Sequence, residues 1–518
     1  MNRTPRLLAT AAALAVASVA LTACGVLWDP KTDAARPADP TPDASSAPAG
    51  FSEFYTQTLD WSDCTGADDG DYECTEVTAP LDWSDPDGGD ISLAVIRRLA
   101  DGGAPAGSLL TNPGGPGASG FDLIEDSAIF AVGEELAEAY DIVGFDPRGV
   151  GRSTAVTCLE PARMDAYLYD LPSHPRGTPA WEQELTDRAQ EFAEACERNS
   201  GGILPFITTD SAARDLDLLR AVLGDTTLNY LGYSYGTFLG ATYAELFPDR
   251  VGRLVLDGAI DPSVSGLDVG TTQAVGFESA LRAYMEDCLD DRDCPFRGTV
   301  DDAMADLGTL LASVDRAPLR ASDGRMLGAD SLVTAIVSAL YSQESWSYLT
   351  QALADALAGD AEMAFLLADF YNSRNPDGTY EDNSAEAFRA YNCVDYPTVD
   401  DQAAQDAARA RIEKLAPTIA PYWEGVDVCD VWPVAPTGVR KEITADGAAP
   451  IVVVGTTNDP ATPYEWSVSL AEQLSSGVLV TRVGEGHTGF NKGNDCVDGA
   501  VVAYLVDGAV PEDGIRCE

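Results

Sequence analysis

The stretch "LNYLGYSYGTFLGATYAELFP", residues 228–248, begins like a strand and ends like a helix. Leu228–Tyr233 is an apolar run of strand length, and Tyr235–Phe247 has helical spacing that stops at Pro248. Between them, Gly232-Tyr233-Ser234-Tyr235-Gly236 is a G-x-S-x-G in a strand–turn–helix context. Reversing from strand to helix within about one residue forces Ser234 into a strained backbone conformation. The turn brings neighbouring backbone together, which calls for small residues at 232 and 236, and Gly240 continues that stripe where the helix crosses the sheet. The gain is a hydroxyl exposed at a helix N-terminus, where N–H dipoles favour developing negative charge. Ser234 therefore reads as a nucleophile.

A serine hydroxyl needs a base, and the chain has two histidines. His174 sits in the polar loop "DLPSHPRG", ahead of the serine. His487 sits in "VGEGHTGF", after the last strand-like run. The chain order Ser, acid, His selects His487. The acid is expected at a strand end between them. Asp459, closing "IVVVGTTND", is the choice by position, and Asp257, closing "RLVLD", is the runner-up. An oxyanion also needs two N–H donors. One is assigned to Tyr235, directly after the nucleophile, and the other to Gly115 in the glycine-rich loop "NPGGPGASG" (112–120). That loop has no G-x-x-x-x-G-K-[ST] pattern and no lysine to meet a phosphate. "DPRGVGRS" (146–153) is given a structural role at the same end of the sheet, through Arg148.

Outward from the motif, strand and helix signals alternate. "ISLAVIRRL", "GSLLTN", "DIVGFD", "VGRLVLDGAI", "APIVVVGTT" and "GVLVTRVGE" read as strands. "FDLIEDSAIFAVGEELAEAY", "SAARDLDLLRAVLG" and "YEWSVSLAEQL" read as helices. This pattern predicts an α/β fold with a mostly parallel central sheet covered by helices on both faces. The alternation fails over 265–440, which reads as a mainly helical cap inserted between a first core part (51–264) and a C-terminal core part (441–518).

The chain has 518 residues, 45% of them apolar, and a formal net charge of −52. So acidic a surface repels nucleic acid. Arg3 and Arg6 precede the apolar run "LLATAAALAVASVALTA", too short and Ala-rich for a permanent span. It ends in "LTAC", which resembles a bacterial lipobox. Residues 1–24 then read as a lipoprotein signal peptide, Cys24 as the acylated residue and 25–50 as a flexible tether rich in Pro, Ala and Asp. The membrane is reached only through that anchor. Ten cysteines remain, an even number suited to five disulfides outside the cytoplasm. Neighbour pairing gives Cys64–Cys74, Cys158–Cys196, Cys288–Cys294, Cys393–Cys429 and Cys496–Cys517, although spacing alone leaves connectivity open. With no C-x-x-C and two histidines, no metal site is expected, and no cofactor.

Together, "NPGGPGASG", "FDPRGVGRS", "LNYLGYSYGTFLGATYAELFPDRVGRLVLDG", "AYNCVDYP" and "GTTNDPATPYEWSVSLAEQL…GEGHTGF" resemble the exported tripeptidyl aminopeptidases of the proline iminopeptidase-like α/β-hydrolases. The resemblance implies an α/β-hydrolase fold and a serine exopeptidase that releases short peptides, tripeptides above all, from free N-termini. It carries over Ser234, Asp459 and His487, and it places a cap over the site. Related iminopeptidases open the oxyanion loop with His-Gly-Gly-Pro-Gly. Here the first residue is Pro113, a form shared by tripeptidyl members that points away from strict proline release. An aminopeptidase must also hold a substrate ammonium, and Asp395 in "YNCVDYP" is the carboxylate assigned to it. A carboxylesterase or lipase with the same three residues is the alternative, because substrate choice lives in the cap.

Overall fold

A computed structural model describes residues 41–64, 72–103, 105–423 and 425–518. The chain divides into a unit of residues 1–40 and a unit of residues 41–518. The signal peptide, Cys24 and the first part of the tether lie outside the described residues. The segment just after them is held to the domain: the Asp43 N–H donates to the Ala221 carbonyl at 2.8 Å, and Ser46 Oγ accepts from Arg220 at 2.9 Å.

The main sheet is built from β1 (Ser62–Asp63), β2 (Tyr72–Asp82), β3 (Asp85–Arg98), β4 (Ser108–Asn112), β5 (Asp141–Phe145), β6 (Leu228–Tyr233), β7 (Val251–Asp257), β10 (Ile451–Asn458), β11 (Gly477–Glu485) and β12 (Ile515–Cys517). The short β8 (Leu319–Arg320) and β9 (Met326–Leu327) pair with each other in the insertion. The sheet order is β1-β2-β3-β5-β4-β6-β7-β10-β11-β12. β1, β2, β3 and β5 pair antiparallel in turn, and every neighbouring pair from β5 to β12 is parallel. Sequence reading placed β3 to β7, β10 and β11; it did not pick out β1, β2 or β12, or the antiparallel pairing of β2 with β3.

The apolar runs of the central strands are buried on both faces, as a covered parallel sheet requires. Alternate residues divide between two cores. Leu110, Val143, Tyr230, Leu254 and Val453 face the helices Thr209–Val222, Tyr235–Leu246 and Tyr464–Gln473. Leu109, Ile142, Leu231, Val255 and Val452 face the helices Gly120–Val132 and Asp495–Val502. The run read as one helix over 121–140 is two, because Gly133 at φ 77° interrupts it.

After β4 the chain winds toward β5, and after β6 it winds toward β7, so β4 and β6 are neighbours whose connections leave in opposite directions. That is a topological switch point, and it opens a crevice at the carboxyl ends of the strands. The glycine-rich loop follows β4 and Ser234 follows β6, so both project into it.

The segment read as a cap is mainly helical. Leu281, Tyr284, Leu307, Leu311, Ile336, Leu349, Leu353 and Phe365 form a hydrophobic core separate from those of the sheet. The helix Ser384–Asp395, although inside that segment, packs Ala387, Ala390, Tyr391 and Val394 into the core of the sheet instead. The disulfides are the five pairs that neighbour pairing gives.

Arg148 is completely buried and forks onto Asp215 through Nε and Nη2, both at 2.7 Å. Its remaining donors reach the carbonyls of Pro80 and Leu81, which locks the loop after β5 to the helix Thr209–Val222. Removing one partner leaves the other charge buried and unpaired, a loss of about 3–5 kcal/mol. Asp215→Asn should therefore lower the urea midpoint of unfolding strongly, while an exposed Asp→Asn control such as Asp377→Asn leaves it near the wild-type value.

Candidate active site

Ser234 occupies φ 55°, ψ −122°, a conformation disfavoured for a residue with a side chain. Its neighbourhood leaves it no alternative. Its N–H donates to the Asp257 carbonyl at 2.9 Å, and its own carbonyl accepts from Thr237 N–H at 2.9 Å and from Thr237 Oγ1 at 2.6 Å. A Cβ at Gly232 would lie 2.5 Å from the Gly236 carbonyl oxygen, so the strand and the helix can meet only through glycine.

The loop after β4 wraps against this turn. A Cβ on Gly114 would come within 2.8 Å of Ser234 Cβ and 3.1 Å of the Tyr235 nitrogen. Gly114, Gly115 and Gly117 all hold φ 104°. The Gly114 N–H is taken by Asn112 Oδ1 at 3.0 Å, whereas no acceptor among the described residues pairs with the Gly115 N–H. Tyr235 is the first residue of its helix, so its N–H has no intrahelical acceptor. Both N–H groups assigned to an oxyanion thus lie on backbone packed around Ser234, and Gly114 makes the close contact.

Asp459 follows β10 and His487 follows β11. His487 Nδ1 lies 2.9 and 2.8 Å from the two oxygens of Asp459. Facing a carboxylate, Nδ1 carries the proton, and the neutral ring then offers its lone pair at Nε2. That Nε2 is buried and has no hydrogen-bond partner among the described residues. The Asp459 carboxylate also accepts the N–H groups of Ala461, Thr462 and Thr488, at 3.0, 2.8 and 3.2 Å. Gly258 adjoins Asp257, whose carbonyl holds the Ser234 N–H. A Cβ at Gly258 would approach His487 Cε1 to 3.1 Å, so the base and the nucleophile's turn share this one contact point.

Two participants were not found by sequence reading. Thr462 Oγ1 lies 3.1 Å from Asp459 Oδ2 and 3.2 Å from His487 Nδ1, bracing the pair. The Asp-x-x-Thr spacing in "DPAT" is a local turn pattern that could have flagged it. Tyr341, from the helical segment, accepts the His487 N–H on its carbonyl at 2.8 Å and sets its ring edge-on to the imidazole at 5.3 Å. Nothing in the sequence around Tyr341 signals that contact.

The other assigned residues fall elsewhere. His174 is half exposed and bonds Glu184 at 3.0 Å. Asp257 does not contact the imidazole; its oxygens accept the N–H groups of Gly489 and Phe490. Asp395 is 5% exposed, and its carboxylate is taken by Thr209, through N–H at 3.0 Å and Oγ1 at 2.6 Å. Burial pushes its carboxyl up to about 6. Thr209 Oγ1 in turn bonds Tyr235 Oη at 2.7 Å. Asp395 therefore stands behind the Tyr235 turn as part of its support, with its carboxylate engaged by Thr209 rather than free for a substrate ammonium. Among the described residues no cluster of three or more His, Cys, Asp or Glu side chains is arranged to hold a metal ion.

A TAP-like protein family model matches residues 416–517, a span that contains Asp459 and His487. The serine protease Hip1 of Mycobacterium tuberculosis is 36% identical over 89% of this chain and 91% of that protein. A protein named carboxylesterase B from the same species is 39% identical over 86% of both chains. The tripeptidyl aminopeptidase of Streptomyces coelicolor is 32% identical over 89% of this chain and 86% of its own.

Loss of the carboxylate at 459 would free Nδ1 to lose its proton and turn the imidazole tautomer. Asp459→Asn is expected to slow modification of Ser234 by a fluorophosphonate by roughly 10³- to 10⁴-fold, the scale such a change has in a serine-protease triad. Stopped-time labelling with mass detection of the Ser234 peptide measures it.

Proposed function

The chain belongs to the TAP-like serine peptidase family of α/β-hydrolases, and on that premise we propose that it is an exported exopeptidase that removes short peptides, tripeptides in the main, from free N-termini. Ser234 Oγ attacks the scissile carbonyl while His487 Nε2 takes its proton. The resulting oxyanion is met by the N–H groups of Gly115 and Tyr235. His487 then protonates the departing amine, and the released acyl-enzyme carries the N-terminal peptide on Ser234. Water, activated by the same Nε2, attacks the ester, and the proton returns to Ser234 as the bond breaks. Asp459 holds the imidazole in the required tautomer throughout and stabilises its charged form.

The observation that carries this reading is the state of the imidazole. Nδ1 is committed to a carboxylate, while Nε2 is buried and has no hydrogen-bond partner among the described residues, Ser234 included. A buried nitrogen without a partner is costly in a fold maintained for stability alone. The relatives named as a tripeptidyl aminopeptidase and a serine protease support peptide chemistry.

The relative named carboxylesterase B supports a second reading, ester hydrolysis by the same three residues. A panel of tripeptide amides with free and acetylated N-termini, alongside short-chain esters, separates the two. The peptidase reading expects turnover of the free tripeptide amides and a loss of at least about 100-fold in kcat/KM on acetylation, a missing charged contact being worth about 3 kcal/mol. Indifference to acetylation, with faster turnover of esters, would establish the esterase.

Export rests on residues 1–24, with Cys24 as the lipid-bearing residue that holds the enzyme at the outer face of the bacterial membrane. Among the described residues no helix is long and apolar enough to cross a membrane. Cys24→Ala should move the enzyme from the membrane pellet or abolish its processing, read by fractionation and by the mass of the mature N-terminus. Unchanged pelleting of a correctly cleaved variant would remove the lipid anchor from the proposal.

A further inference from the structure

Asp257 is buried completely at the tip of β7, carries a formal charge, and has no role in the proton relay just described. Its contacts run in two directions. Backward, its carbonyl accepts the Ser234 N–H at 2.9 Å, fixing the strained residue from the neighbouring strand. Forward, its carboxylate accepts the Gly489 N–H at 2.8 and 3.0 Å and the Phe490 N–H at 2.8 Å, two and three residues beyond His487. Thr488, between them and the histidine, sits at φ 70°, so the loop is bent where it is gripped. Asp459 takes the Thr488 N–H from the other side at 3.2 Å, and Thr456 Oγ1 donates to its carbonyl at 2.9 Å.

We infer that Asp257 is a positioning residue that sets the distance between nucleophile and base, one residue holding the Ser234 turn through its backbone and the His487 loop through its side chain. This rests on the proposed Ser234–His487 relay and adds a second carboxylate to it, one that touches neither substrate nor imidazole. No cation pairs with Asp257 among the described residues, and the charged form is retained against its burial. Burial pushes the carboxyl up to about 6. The titratable groups that face it are His487, Asp459, Tyr233 and Lys492. An acid raised above its unfolded value holds a proton in the native state that the unfolded chain has released, so ionising it as the pH rises toward 6 lowers fold stability. Keeping the acid there weakens the fold and serves the loop, a trade usual at functional sites.

The consequence is an acid limb to which Asp257 contributes. As pH falls below about 6, the carboxylate becomes an acid with one fewer acceptor for the two N–H groups, and the loop slackens. Asp257→Asn removes that event and keeps the size of the side chain.

The test is fluorophosphonate labelling of Ser234 in the full chain between pH 5 and 8, with kcat and KM on the best amide or ester substrate and thermal melting in parallel. Wild type should lose labelling rate below pH 6 more steeply than Asp257→Asn does. Asp257→Asn should lose roughly 100-fold in labelling rate and kcat at neutral pH, the scale of a misplacement of about 1 Å. Its KM should hold within about twofold, its acid limb should be shallower than that of wild type, and its melting temperature should match or exceed that of wild type. Asp257→Glu, which keeps the charge, should recover part of the rate. Wild-type labelling and slope in Asp257→Asn would overturn the inference alone. A loss of rate in step with a collapsed melting temperature, without recovery in Asp257→Glu, would reduce Asp257 to a structural acid and overturn it too. No labelling of Ser234 in the wild-type enzyme would overturn the relay and this inference with it.

Discussion

A serine held at positive φ is the constraint to which the rest of the structure answers. Such a conformation costs on the order of 1–3 kcal/mol and persists only where its surroundings over-determine it. Here the surroundings come from every side. β7 supplies a carbonyl to the Ser234 N–H, the helix after it returns Thr237 to its carbonyl, and Gly114 closes from the loop after β4. Each of these neighbours is placed by the order of the parallel strands, in which β4, β6 and β7 lie side by side. The sheet thus converts long-range topology into the strain of one residue, and that strain keeps the hydroxyl clear of both strand and helix.

Carboxylates show how environment divides roles within one residue type. The chain has 84 acids, and among the described residues a few are buried. What each of those few meets sets its role. Asp215 meets the Arg148 fork, and Asp217 meets Arg220 and Arg250. Asp146 takes Ser119 and the N–H groups of Phe121 and Arg152. Asp395 takes Thr209, Asp257 takes two backbone N–H groups, and only Asp459 meets an imidazole. A guanidinium partner makes a structural bridge, and backbone donors make a clamp on a loop. An imidazole with a free far nitrogen makes half of a proton relay. The chemistry is decided by what stands within 3 Å of the carboxylate.

The helical insertion reaches the loops around Asp459, His487 and Gly117. Tyr341 reaches the base, and the helix Ser384–Asp395 lies against the oxyanion loop, where a Cβ on Gly117 would strike the Phe388 nitrogen at 2.9 Å. That helix shares the core of the sheet and is tied by Cys393–Cys429 to the turn Val428–Val431. The helices from Gly266 to Tyr371 have their own core. The sheet and most of the helical segment are therefore separate packing units that meet beside His487.

The sequence by itself determined whatever depends on neighbours along the chain. Apolar runs of strand length bounded by glycine and proline located the parallel strands. G-x-S-x-G between strand and helix located the turn that holds Ser234, and chain order singled out His487, which meets Asp459. Neighbouring cysteines even paired as they fold. It did not reach β2 or its antiparallel pairing with β3, since β2 shows no run that sets it apart from a loop-rich N-terminus. Nor did it reach the sites where identical residue types compete for partners. Asp395 read as the partner of a substrate ammonium and Asp257 as the runner-up acid, neither of which is the contact it makes, and Tyr341 read like any aromatic in a helical stretch. Their roles were decided only when the fold brought Asp395 to Thr209, Tyr341 to His487 and Asp257 to Gly489 across long stretches of chain. A carboxylate's work depends on distance, burial and the donor it meets, and all three are properties of the assembled fold.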